Sequence, residues 1–375
     1  MEVVLDPRFV AAAHAISLPK YKKVKALKFN LRFARLRVAE FDELFKLLKR
    51  YPIVALDIIQ CAIENEEAFV QLIARLTEVP LLTSILIRGV RTVTDKTAMA
   101  FSKLIQERPF KNLELTWTRI GPLGAQYIGH ALNDSGLEHL NLSGCRIGLE
   151  GAMSIIEALD TGTTALSALN LGDTGMGGEG VMELCHVLHL TKLNSLCLNN
   201  EVTTDEVFET VMTAVENRTR LHTLFLARCR MNDTKVKRLA NVVSTHPNQF
   251  QVLSVDGNIF GREGLIALGE AIAISPNMAQ IMMRNLIHVD DDAMKAFIHL
   301  IQTHLRLNKV ECGRARTLHP ETIAYVNKTL AAMHSEHAKR MVILMAPFTL
   351  PHIRPKFTLR VLGKDLVRLL GSYLD

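Results

Sequence analysis

Apolar residues recur along this chain as apolar-x-x-apolar-x-apolar, in copies that begin at Val24, Ile53, Leu82, Phe110, Leu137, Leu166, Leu193, Leu221, Phe250, Met278 and Leu307. Successive starts lie 27 to 29 residues apart. In the clearest copy Leu137, Leu140 and Leu142 are set among polar residues, the alternation of a short strand with one side facing a core. About eight residues on, the period becomes helical: Gly151-Ala-Met153-Ser-Ile155-Ile156-Glu-Ala-Leu159 places apolar side chains three and four apart. The same switch recurs over 125–132, 181–188, 207–215 and 265–272. Each copy therefore predicts strand, turn, helix. One such unit buries too little to order its own backbone, so neighbours must stack and share a core.

The residues inside the repeat name a likeness. The copy at 137–147 reads L-x-x-L-x-L-x-x-C-x-L, and turns such as Ile120-Gly121-Pro-Leu-Gly124, Ile147-Gly148-Leu-Glu-Gly151 and Phe260-Gly261-Arg-Glu-Gly264 recur. Over about residues 24–334 the chain resembles the ribonuclease-inhibitor-like class of leucine-rich repeats. That resemblance implies an α/β horseshoe solenoid of about eleven repeats, strands inside and helices outside. A cap is expected over about 1–23 and a cap or tail over 335–375. It also implies a protein–protein interaction module (scaffold, adaptor or inhibitor) that binds its partner through the concave face, without catalysis, cofactor or metal.

Composition agrees with a packed chain: 48% of residues are hydrophobic and 22% charged. The formal charge of +6 is concentrated at the ends. Residues 1–50 hold twelve Lys or Arg, Lys20, Lys22, Lys23, Lys25 and Lys28 among them, against five acids. Such an end can attract nucleic acid, anionic lipid or an acidic protein. The reading adopted is a solubilising cap, with no nucleic acid or membrane partner. No apolar run reaches the ~18 residues of a membrane span. The start, Met1-Glu2-Val3-Val4-Leu5-Asp6-Pro7, places acids where a signal peptide has positive charge. A cytoplasmic location is expected.

Candidate chemistry is mostly absorbed by the repeat. Cys61, Cys145 and Cys229 each fall eight residues after a start, where Asn or Cys turns inward; Cys312 takes an inward strand position and Cys185 a helical one. Cys197 alone is expected to face outward. His186 with His189, and His334 with His337, are spaced to share one helix face, but no further ligand completes a metal set. Asp290, Asp291 and Asp292 stand where a helix should begin, as cap and dipole partners. No G-x-x-x-x-G-K-S/T is present, so these residues form no phosphate loop.

Three functional surfaces remain. Outward strand positions lie two, four and six residues after each start, with the seventh at the rim. Trp117, Phe225, Arg228, Met282 and Arg284 fall there, and aromatics and arginines are the usual anchors of protein interfaces. Proteins similar to the GTPase-activating protein for Ran share this repeat class, which implies an arginine or asparagine set against a partner's nucleotide. Arg88 and Asn30 are the nominees, although neither stands in a version of that family's motif. Finally, the segment from Leu362 through Leu366, Leu369, Leu370 and Tyr373 to Leu374 resembles the opening helix of an F-box. It either seals the last repeat or offers a helix to a ubiquitin-ligase adaptor, which would make the chain a substrate receptor.

Overall fold

The computed structural model describes residues 2–5, 26–217, 220–304, 306–312 and 318–335. Of the cap expected over about 1–23, only residues 2–5 are described; the rest of it, the tail beyond Ser335 with its F-box-like segment, and His337 lie outside the described residues. The chain divides into two units, Met1–Leu221 and His222–Asp375.

The first unit runs β1 (Glu2–Leu5), β2 (Leu27–Arg32), β3 (Arg35–Leu36), α1 (Val38–Arg50), β4 (Ile53–Ile59), β5 (Ala62–Ile63), α2 (Glu66–Arg75), β6 (Ser84–Arg88), α3 (Asp95–Glu107), β7 (Asn112–Thr116), α4 (Pro122–Leu132), β8 (His139–Asn141), α5 (Gly148–Asp160), β9 (Ala168–Asn170), α6 (Gly177–Val187), β10 (Ser195–Cys197) and α7 (Asp205–Glu216). Its main sheet is parallel throughout, in chain order, with β3 and β5 forming a small parallel pair at the side. The second unit repeats the scheme with β11 (Thr223–Phe225), α8 (Asp233–Thr245), β12 (Val252–Ser254), α9 (Arg262–Ala273), β13 (Gln280–Met282), α10 (Asp291–Ile301), β14 (Lys309–Glu311) and α11 (Pro320–Ser335), its strands again parallel and sequential.

The alternation read from the sequence is the one the strands use. Leu140, Leu142, Cys145 and Ile147 are buried, as are Ile155, Ile156 and Leu159 on the facing helix. Burying such a side chain is worth roughly 1.5–3 kcal/mol. Helices α2, α3, α7, α8 and α10 begin at side-chain caps: Asn65, Thr94, Thr204, Asn232 and Asp290 each accept a bond from a backbone N–H of the first turn. Asp290, the first of the acidic run, accepts from Ala293 N at 2.7 Å.

A second layer of capping joins neighbours. An acid in the first turn of one helix reaches the start of the next. Glu66 accepts from Thr94 N at 2.9 Å, Asp95 from Gly121 N at 2.7 Å, Asp233 from Gly261 N at 3.0 Å, and Asp291 from His319 N at 2.9 Å. The carboxylate completes the orphan N–H groups of its neighbour and meets the positive end of that helix. Hydrogen bonds from Thr322 and His319 hold Asp291 down to about 2.

Candidate functional site

The turn that ends each strand has one unusual residue. Seven positions after the repeat start the backbone is left-handed in every described copy from the second onward: Gln60 (φ 50°), Gly89 (66°), Trp117 (54°), Gly144 (72°), Asp173 (57°), Asn200 (61°), Arg228 (57°), Gly257 (63°) and Asn285 (57°). The N–H there continues the ladder, as in Trp117 N to Ser143 O at 2.9 Å and Arg228 N to Asp256 O at 2.8 Å. Glycine and asparagine suit this conformation; a bulky side chain is strained in it, by about 1–2 kcal/mol. Gln60, Trp117 and Arg228 are the bulky exceptions. Each leans over a glycine at the same place in the next repeat, Gly89, Gly144 and Gly257, where a Cβ would crowd it.

In the first unit these turns floor a groove of about 780 Å³. Its lining takes in Gln60, Gly89, Trp117 and Gly144 of these turns together with Arg91, Arg119 and Arg146, which stand nine residues after their repeat starts. Trp117 is 50% exposed.

The strand face proper is closer-packed than its sequence parity suggests. Cys197, expected to face outward into solvent, is only 5% exposed. Neighbouring strands lie about 4.8 Å apart, so an outward side chain of modest size is walled in by its counterparts on either side. Asp57, Ser254 and Glu311 hold the same offset in their own repeats and are buried too. Asp57 is paired with Lys28 at 2.7 Å. Burial pushes the Glu114 carboxyl above its ordinary value, with the charge of Asp57 adding to the effect; the bond from Asn141 (3.2 Å) and Lys28 pull it back.

The remaining nominated residues spread over both units. Phe225 is half-buried and Arg228 exposed at the rim. Met282 is 9% exposed, seated between Ser254 and Glu311 in the sheet register. Arg284 donates to Asp256 through Nε at 2.9 Å and through its second guanidinium nitrogen at 2.6 Å, and lies 3.4 Å from Glu311. Arg88 is exposed, whereas Asn30 is fully buried.

All six cysteines are free and buried. Cys145 Sγ donates to Leu115 O at 2.8 Å, the inward ladder bond expected of it. Burial pushes the Cys185 and Cys312 thiols up to about 12. His186 has Glu183 as neighbour at 3.4 Å, and among the described residues no three His, Cys, Asp or Glu are grouped to hold a metal ion.

The sequence matches the family model described as Leucine Rich repeat over residues 135–155 and 164–185, two consecutive strand–turn–helix copies of the ladder just described. The chain is a leucine-rich-repeat protein. Its repeats are similar to those of human NACHT, LRR and PYD domains-containing protein 13, with 28% identity over 164 residues, 43% of this chain and 16% of that protein. Bovine NACHT, LRR and PYD domains-containing protein 5 is 30% identical over 147 residues, 38% of this chain and 13% of the relative. The aligned part thus spans less than a fifth of either relative. Among solved structures, the yeast Rad7 and Elc1 complex superposes with a TM-score of 0.58 at 12% identity, covering 83% of this chain and 84% of that one. That likeness is one of fold.

Two features of these leucine-rich repeats escaped the sequence reading. Glu201 stands eight residues after Leu193, at the ladder position that Cys145 and Asn258 fill elsewhere, and is 3% exposed. Its Oε1 accepts from Thr174 N (2.7 Å), Gly175 N (2.9 Å) and Thr174 Oγ1 (3.3 Å), and its Oε2 from Gly177 N (3.2 Å). The row Arg91, Arg119, Arg146 was also missed. Both can be found by reading down a single offset of the repeat rather than along the chain.

Proposed function

We propose that this chain is a protein-interaction module, a scaffold, adaptor or inhibitor acting in the cytoplasm, that grips a partner protein along the strand face and rim of its repeats and performs no chemistry itself. The observation that carries this reading is the placement of Trp117 and Arg228. The fold asks only for a residue tolerant of left-handed backbone at that offset, which Gly, Asn or Asp supplies in other repeats. A large exposed indole and a guanidinium are costly there, and they are the groups that anchor protein interfaces. In the second unit Phe225 and Arg228 come from one repeat and Met282 and Arg284 from the next but one, with the strand at Ser254 between them. Arg284 is already oriented by Asp256, so little rotamer freedom is lost when it binds. A full helix in every 27–29-residue repeat supports the ribonuclease-inhibitor-like class.

The yeast neighbour of like fold is seen in complex with Elc1, and the same kind of partnership is proposed here. The GTPase-activating alternative gains no support from Asn30, whose side chain is enclosed. The ubiquitin-ligase reading rests on the 362–374 segment. Capture from cytosol with the full chain, and with a chain truncated after Met345, tests both: recovery of a ligase adaptor by the full chain alone selects the receptor role. For whichever partner is recovered, F225A with R228A should weaken binding by about 2 kcal/mol or more. Unchanged affinity removes the second-unit surface from the reading.

A further inference from the structure

Arg91, Arg119 and Arg146 recur at one offset of three consecutive repeats, so the parallel register stacks them in a row along the groove of the first unit. All three are exposed, and no hydrogen bond or ion pair among the described residues holds any of their guanidinium groups. The same offset is Ala62 in the repeat before and Gly175 in the repeat after, so the row has ends. Asp95, in the first turn of α3, is committed to the backbone N–H of Gly121. Three like charges side by side repel one another. The exposed indole of Trp117, seated over Gly144, lines the same groove.

We infer that this groove is a docking site for an acidic peptide segment of the partner protein, whose carboxylates meet the three arginines while an apolar side chain lies on the indole. The inference rests on the interaction-module reading above and specifies the chemistry of the partner. Arginine forks match carboxylates two oxygens at a time, and a central aromatic beside arginines is the composition of an interface hot spot. A nucleic acid strand is the weaker fit. Sequence-tolerant binding of single strands uses a series of aromatic platforms along a long basic track, whereas this groove has a single indole and a row of three cations.

Trp117 is the only tryptophan of the chain, so its emission reports on this groove alone. The full chain is titrated with a short oligoglutamate peptide at low salt, with oligoserine and oligothymidylate as comparison probes. The expected result is a saturable change in emission with oligoglutamate and none with oligoserine. In the R91Q/R119Q/R146Q variant the dissociation constant should rise about tenfold or more, and R119Q alone should give a smaller rise with an unchanged melting curve, which keeps the test valid if the triple variant folds poorly. Absence of any change with oligoglutamate overturns the proposal. So does equal affinity in R119Q and wild type, or tighter binding of oligothymidylate than of oligoglutamate. If a captured partner is weakened by F225A/R228A while oligoglutamate leaves Trp117 unaffected, the acidic-segment inference fails and the interaction-module reading stands.

Discussion

The indole of Trp117 lies directly over Gly144, so close that a Cβ on residue 144 would fall within its ring atoms. Gly144 is itself left-handed at φ 72°. Two independent penalties therefore meet in G144A: strain of the new side chain in its own backbone, and displacement of the indole. The expected loss is about 2 kcal/mol or more by urea denaturation. The lone tryptophan emission of the native variant should shift, since its cover has moved. A variant as stable as wild type with unaltered emission would show that the indole rests elsewhere.

Arg228 permits the opposite experiment. It is left-handed without being glycine, and its Cγ approaches the place a Cβ on Gly257 would take at 3.0 Å. R228G removes the steric cost of that conformation, which is set against the extra chain entropy of glycine at φ > 0 and the loss of the exposed side chain's own interactions. Stability should be unchanged or higher by up to about 1 kcal/mol, read from the denaturation midpoint, while partner affinity falls. A residue whose loss strengthens the fold and weakens the complex is placed for binding. A clear drop in stability would instead make Arg228 a structural residue.

Glu201 is the carboxylate on which one repeat turn closes. Its oxygens take four donors from Thr174, Gly175 and Gly177 at the entrance to α6. E201A leaves buried N–H groups without an acceptor and should cost about 3 kcal/mol or more, since bonds to a charged group are worth ~1.5–3 kcal/mol each and their orphaned partners are expensive. E201Q keeps one acceptor oxygen and should cost clearly less. Equal losses in the two variants would indicate that shape, not hydrogen bonding, is what residue 201 supplies.

The strand–turn–helix scheme was legible because it follows from a period: Leu140, Leu142 and Cys145 are buried where alternation places them, and the helical spacing at 151–159 falls within α5. Ladder cysteines were legible for the same reason. The state of the strand face was not. Parity tells that Cys197 and Met282 leave the core side, yet solvent access depends on what the adjacent strands carry, which is contact across about 28 residues of sequence. Glu201 was hidden by its residue type, since a buried glutamate is exceptional until four donors converge on it. The arginine row was hidden because its members are ordinary surface residues one by one. Only the register makes them a group.

Glu114 gives a prediction whose sign depends on pH. Burial and the neighbouring Asp57 charge raise the folded-state pKa of its carboxyl above the unfolded value. The folded state then binds the proton more tightly than the unfolded one, so this group favours folding at low pH, and its contribution declines as pH rises from the unfolded pKa through the folded one. E114Q mimics the protonated form and can still accept from Asn141 through its amide oxygen. It should therefore melt higher than wild type at neutral pH, and the gap should close as the pH is lowered to about 4, where wild-type Glu114 carries its own proton. Melting curves at several pH values in one buffer of fixed ionic strength check this. A gap that stays constant with pH, or a variant less stable at neutral pH, would mean that the Glu114 charge is compensated by Lys28 and that its burial carries no electrostatic cost.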